Sequence, residues 1–124
     1  MKKLTSIFAL LAVLTATHHA VAHEGHGQPQ FGGIVAEAGF AQFEIVAGDG
    51  KVTVHATQHG APLATAGASG RLTVLDGAKK SEIELAPAGD NRLAGAGRLP
   101  AGAKLLLNVS LAGQKPLQAR AVLR

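Results

Sequence analysis

The sequence predicts an all-β chain, a small immunoglobulin-like antiparallel β-sandwich of about seven or eight short strands. Three observations predict it. Apolar residues recur at every second position in short runs from Ile34 to Leu123. Glycine, proline and asparagine signals separate those runs at close intervals. Alanine is abundant enough to raise the question of a helical core, but glycine recurs throughout and the apolar spacing within each run is two rather than three or four, which argues against helix.

The first run, "GIVAEA", is short and weakly patterned. In "FAQFEIVA" Phe43 and Ile45 share one face and Gln42 and Glu44 the other. "KVTVHAT" repeats the arrangement, with Val52, Val54 and Ala56 against Lys51, Thr53, His55 and Thr57. Between these two lies "GDG", Gly48 to Gly50, which suits a tight hairpin because glycine tolerates positive φ. Further along, "RLTVL" buries Leu72 and Val74, and "SEIEL" buries Ile83 and Leu85. "NRLAGAG" is a weaker strand. "KLLLNVSL" buries Leu105, Leu107, Val109 and Leu111, and "PLQARAVL" buries Leu117, Ala119, Ala121 and Leu123. The connecting stretches "HGAPLATAGASG", "DGAKK", "APAGDN", "RLPAGAK" and "AGQKP" all carry turn residues. With few aromatics, the core is expected to rest on small aliphatics, and Phe43 to matter disproportionately.

Upstream of the strands the chain changes character. Lys2 and Lys3, the apolar run Ile7 to Leu14 and the small-residue triplet Ala20-Val21-Ala22 follow the charged, apolar, A-x-A order of a secretory signal peptide over residues 1–22. The apolar run falls well short of the ~20 residues that span a bilayer, so the exported chain is expected to be periplasmic and not embedded in a membrane. Cleavage after Ala22 makes His23 the new N-terminus, followed by a flexible, histidine-containing tail over 23–30 and the sandwich domain over 31–124. The remaining length of roughly 100 residues is that of one domain with one core.

Composition excludes several functions. There is no cysteine, hence no disulfide, thiolate metal site or cysteine nucleophile. Removal of Lys2 and Lys3 lowers the formal charge of +4 by two, no dense Lys/Arg cluster exists, and there is no tyrosine or tryptophan to stack bases, so nucleic acid is not an expected partner. No G-x-S-x-G elbow, P-loop or dinucleotide fingerprint occurs. "HEGH" is one residue short of the metalloprotease H-E-x-x-H, and its glycines disfavour the helix that motif needs. No enzyme is read from this chain.

The N-terminus carries the chemistry that remains. The α-amine and imidazole of His23 can close a chelate ring on one metal ion, and Glu24 and His26 are near enough along the chain to add an oxygen and a second imidazole. Nitrogen-rich, oxygen-assisted ligation without sulfur suits Cu(II) or Ni(II) in tetragonal geometry and, less selectively, Zn(II). A polar tail that happens to hold two histidines is the alternative. His59, beside a glycine at the end of a strand, is the candidate fourth ligand. His55 faces away from Val52 and Val54 and is expected to be a surface residue, and an extended strand would hold it ~13 Å from His59.

The stretches "GGIV", "FEIVAGDGKVTVHATQHGAPL", "GASGRLTVL" and "ELAPAGDNRLAGAG" resemble the small periplasmic proteins and adaptor N-terminal domains associated with heavy-metal and copper efflux pumps of the tripartite type. The resemblance covers most of the chain after the leader and lies in turn and strand residues. It implies a periplasmic β-sandwich exposed to copper or zinc moving to or from an efflux complex, with the pump's periplasmic adaptor as partner. In that family the first element often reads His-Gly-Gly. Phe31 stands at that histidine's position here, with His26 five residues upstream as a substitute, while His59 matches a polar position in a D-H-x-G-K-P-like turn. Small periplasmic copper carriers offer an architectural analogy, pairing a sandwich with a mature N-terminal histidine. The expectation is a module that buffers or hands over the ion through His23, Glu24, His26 and His59. The alternatives are a docking sandwich that binds an efflux adaptor or other envelope protein, and a stand-alone adhesive or stress-response domain.

Overall fold

Alternation becomes strand from Ile34 onward. The computed structural model describes residues 27–124; the expected signal peptide, and with it His23, Glu24 and His26, lies outside the described residues. Nine strands follow in order: β1 (Ile34–Ala38), β2 (Ala41–Gly48), β3 (Lys51–Gln58), β4 (Ala61–Pro62), β5 (Ser69–Asp76), β6 (Lys79–Pro87), β7 (Arg92–Ala96), β8 (Lys104–Ser110) and β9 (Leu117–Val122). All pairings are antiparallel, and the described residues contain no helix. The all-β expectation holds, and the two-residue β4 accounts for the strand beyond the expected number. No helix among the described residues is long and apolar enough to cross a membrane.

The hydrogen-bonded path runs β1-β2-β3-β7-β6-β5-β8-β9, with β4 attached to β3. β6 joins the two layers: Lys79 to Leu85 pair with β5, whereas Ala86 and Pro87 pair with β7. At the other side β1 and β9, the two ends of the path, lie against each other, so the sandwich nearly closes into a barrel. Closure of this kind leaves little free edge for another chain to pair with.

Turn chemistry sets the register. Gly48 pairs with Lys51, leaving Asp49 and Gly50 as a two-residue loop with φ of 55° and 72°. Positive φ at both central residues is the type I′ geometry, whose twist matches that of the strands it joins. The β3–β4 turn is built the same way, from His59 at φ 49° and Gly60 at φ 80° between Gln58 and Ala61. Once the first turn is fixed, Phe43 faces Ala56 and Ile45 faces Val54 across the β2–β3 pair, and all four point inward.

Both layers contribute to one core: Ile45, Val52, Val54, Leu72, Val74, Leu93, Leu105, Leu107 and Val109 pack around Phe43. Phe43 is 1% exposed and is the one aromatic side chain in this cluster; Phe31 and Phe40 lie on the surface. Where aliphatics are small, strands must approach closely. At Gly95 a Cβ would run into the carbonyl oxygen of Glu84 and meet Ile83 Cγ2 at 3.0 Å, so β7 reaches β6 only because that residue has no side chain.

Candidate functional site

The type I′ register places Glu44 of β2 directly opposite His55 of β3, and His55 opposite Arg92 of β7. Because Phe43 and Ile45 point into the core, this row lies on the outer face of the sandwich. A carboxylate there would ordinarily be solvated, yet Glu44 is only 6% exposed. Its cover is the chain's own segment just before β1. The backbone N–H of Gln30 donates to Glu44 Oε1 at 2.6 Å, and those of Phe31 and Gly33 donate to Oε2 at 2.8 and 2.9 Å. Burying an ion without partners is costly; three converging N–H groups supply the partners, in the manner of an anion-binding backbone nest.

Gly33 makes this crossing possible. A Cβ at that position would run into the carbonyl oxygen of Ile45 and come within 2.8 Å of Val46 Cγ2. With hydrogen alone, the chain can pass over β2 instead of continuing outward from the edge strand. Two residues earlier, Phe31 lays its ring on His55, with centroids 4.0 Å apart and planes 15° from parallel. The Phe31 ring remains 56% exposed, so it acts as a lid on the imidazole more than as a core residue.

A groove of about 230 Å³ opens beside this stack, walled by Gln28, Gln30, Phe31, Glu44, His55 and Asn91 among others. Asn91 is fixed by donating from Nδ2 to the carbonyl oxygen of Ala56 at 2.9 Å. Partial burial under Phe31 pushes the His55 pKa below its ordinary value; the Glu44 carboxylate opposes that shift and the Arg92 guanidinium reinforces it. Burial prevails, so His55 presents a neutral imidazole at neutral pH, the form in which a ring nitrogen offers a lone pair to a metal.

His59 occupies a different place. It sits at the exposed β3–β4 turn and opens into a hollow of about 160 Å³ shared with Glu37, Phe40 and Gln42. Gln42, whose Nε2 donates to Glu37 Oε1 at 3.2 Å, lines both this hollow and the groove, and so separates the two histidines. Among the described residues no three His, Asp or Glu side chains converge on a point. The Glu44 oxygens are already engaged by three donors, which makes Glu44 an anchor for the chain rather than a free ligand.

Comparison with protein-family models, with curated proteins and with solved structures finds no match to this chain. The residues that give this face its character, Glu44, Phe31 and His55, did not stand out in the sequence as a group. One signal was available: a two-residue turn at Asp49-Gly50 implies that Glu44 and His55 face each other. The fold of residues 30–33 over that pair had no comparable signal.

Proposed function

We propose that this chain is a periplasmic metal-binding module, associated with heavy-metal efflux or resistance, that buffers or transfers Cu(II) or Zn(II). The observation that carries this reading is the pinning of residues 30–33 onto Glu44. It holds Gln30 and Phe31 on the outer face, beside the groove that His55 lines, and these residues follow His23, Glu24 and His26 in the sequence. Ligand exchange with no turnover is the chemistry such a site performs, and imidazole, amine and carboxylate donors without sulfur match Cu(II) and Zn(II). His59, one residue from the groove-lining Gly60, remains a further candidate ligand. The resemblance to efflux-associated periplasmic proteins points the same way.

The test is titration of the exported chain with Cu(II) and with Zn(II) at neutral pH, its N-terminal residue first established by mass spectrometry. One ion per chain is expected, with binding lost when residues 23–26 are deleted. A chain that begins elsewhere and takes up neither ion at micromolar concentration refutes the reading.

A second reading, a docking sandwich for an efflux adaptor or other envelope protein, is favoured by one observation. The outer face of β5, β8 and β9 exposes Leu75 and Val122, 40% and 52% accessible, on either side of Lys104 and near Arg120. That reading expects no metal stoichiometry, and a complex with the adaptor that Leu75→Asp abolishes.

A further inference from the structure

We propose that the outer face of β5, β8 and β9 is a docking surface for an acidic protein segment, one that presents apolar side chains between carboxylates to a cationic, apolar hollow. The proposal is independent of the metal reading; it rests on the docking reading and names the partner's chemistry.

The strand register builds the surface. On the outer face Leu75 of β5, Lys104 of β8 and Val122 of β9 stand side by side in one row, and Thr73, Leu106 and Arg120 in the next. An open hollow of about 450 Å³ lies over these rows, lined by Leu75, Leu106 and Val122 together with Lys104 and Arg120. Among the described residues no carboxylate lines it.

Charge is the first argument. Elsewhere on this face cations are matched: Arg71 Nε lies 2.8 Å from Glu84 Oε1, and Lys80 Nζ 3.9 Å from Glu82 Oε1. Lys104 and Arg120 form no ion pair among the described residues, because the register gives them aliphatic neighbours. Lys104 faces Leu75 and Val122, and Arg120 faces Leu106. A cation so placed lays its methylene stem on apolar surface and keeps its head free for a carboxylate from outside.

Shape is the second. β1 and β9, the two ends of the strand path, lie against each other, so strand addition beside β9 is blocked and a partner must lie on the face. Binding to an anionic membrane uses aliphatics that protrude past the headgroups, whereas these line a recess, which receives a side chain. A small ligand in so open a recess would stay largely wetted, unlike ligands in sites that bury most of their surface. A second copy docked through the same face would set Lys104 and Arg120 against their own kind, since a two-fold contact brings one patch onto itself.

The test titrates the isotopically labelled exported chain with three synthetic peptides, in which leucine alternates with aspartate, with serine or with lysine. The aspartate peptide is expected to shift the amide resonances of Leu75, Lys104, Leu106, Arg120 and Val122, with affinity falling as salt rises. Reversing both cations in Lys104→Glu/Arg120→Glu is expected to weaken that peptide roughly tenfold or more and to confer binding of the lysine peptide. The same charge change in Lys51→Glu/Arg98→Glu, beside the β2–β3 turn, should leave affinity within about twofold. All four residues are exposed, so each variant keeps its core. Serine-peptide binding as tight as that of the aspartate peptide, or insensitivity to Lys104→Glu/Arg120→Glu, overturns the acidic assignment while leaving an apolar docking face. Shifts confined to other surfaces, or none with any of the three peptides at millimolar concentration, overturn both. Sedimentation of the chain with phosphatidylglycerol vesicles, lost in Lys104→Glu/Arg120→Glu and unaccompanied by peptide binding, assigns the face to a lipid surface and overturns the proposal as well.

Discussion

Replacing Glu44 with glutamine isolates what the carboxylate does, because the side chain keeps its shape and loses its charge. Glutamine has one carbonyl oxygen, which can still serve Phe31 and Gly33 where Oε2 now does. Its amide nitrogen would then face the N–H of Gln30, donor against donor. One charge-assisted bond is lost outright and two are weakened to neutral ones, a local loss of about 2.5–7 kcal/mol at ~1.5–3 kcal/mol for each charged bond and ~1 for each neutral one. The segment before β1 can lift without unmaking the sandwich, so global stability should fall by less, about 1–2 kcal/mol, or some 4–16 °C in Tm for a domain of this size. Amide hydrogen exchange reads the local term directly: at a factor of ten per 1.4 kcal/mol, the amides of Phe31 and Gly33 should exchange roughly sixtyfold faster or more, up to the limit of their protection. The ring-current shifts that Phe31 and His55 impose on each other should collapse in the same variant. Wild-type exchange at Gln30, Phe31 and Gly33 in Glu44→Gln, with the strands intact, would refute the claim that the carboxylate holds this segment.

Two further outcomes follow from the core and from the buried imidazole. Truncating Phe43 to alanine removes the one aromatic of a core built otherwise from aliphatics and should cost about 3–5 kcal/mol in urea denaturation, enough to leave a single domain of this size marginal. His55, its pKa lowered chiefly by burial, should titrate below ~6.5 when followed by NMR. As pH falls through ~6.5 the unfolded chain takes up this proton before the folded one does, so His55 subtracts stability across that window, and the loss levels off below the folded-state pKa. In His55→Phe that part of the acid sensitivity should vanish; a titration at or above the ordinary value would contradict the burial argument.

The strands were legible because their signals are local. Alternation in residues 51–57 and 104–111 gives the buried face residue by residue, and "GDG" gives the turn. Leu117, Ala121 and Leu123 were expected inside but lie half-buried at the two ends of β9, Leu123 just past its last residue. Glu44 shows where local pattern runs out. Its face was predicted correctly, but its burial comes from hydrogen bonds to residues 11 to 14 positions away, donated by backbone groups that carry no side-chain signature. Phe31 was similarly opaque: nothing in "QFGG" says that the ring will turn back onto a strand more than twenty residues later. Gly33 was the strongest available hint, since a glycine before the first strand permits a crossing that any other residue would block.

Core and candidate site are two faces of one hairpin. Side chains in a strand alternate with a period of two, so a one-residue slip of β3 against β2 would carry His55 inward and send Val54 out, away from the face that Glu44 occupies. The type I′ turn at Asp49-Gly50 forbids that slip on one side, and the packing of Phe43 against Ile45, Val52 and Val54 forbids it on the other. The pairing of Glu44 with His55 is therefore as firmly set as the core itself, although neither residue contributes to it. What is added afterwards, the crossing at Gly33 and the stack of Phe31, is held by three hydrogen bonds and one ring contact. Opening this face then costs far less than unfolding the sheet.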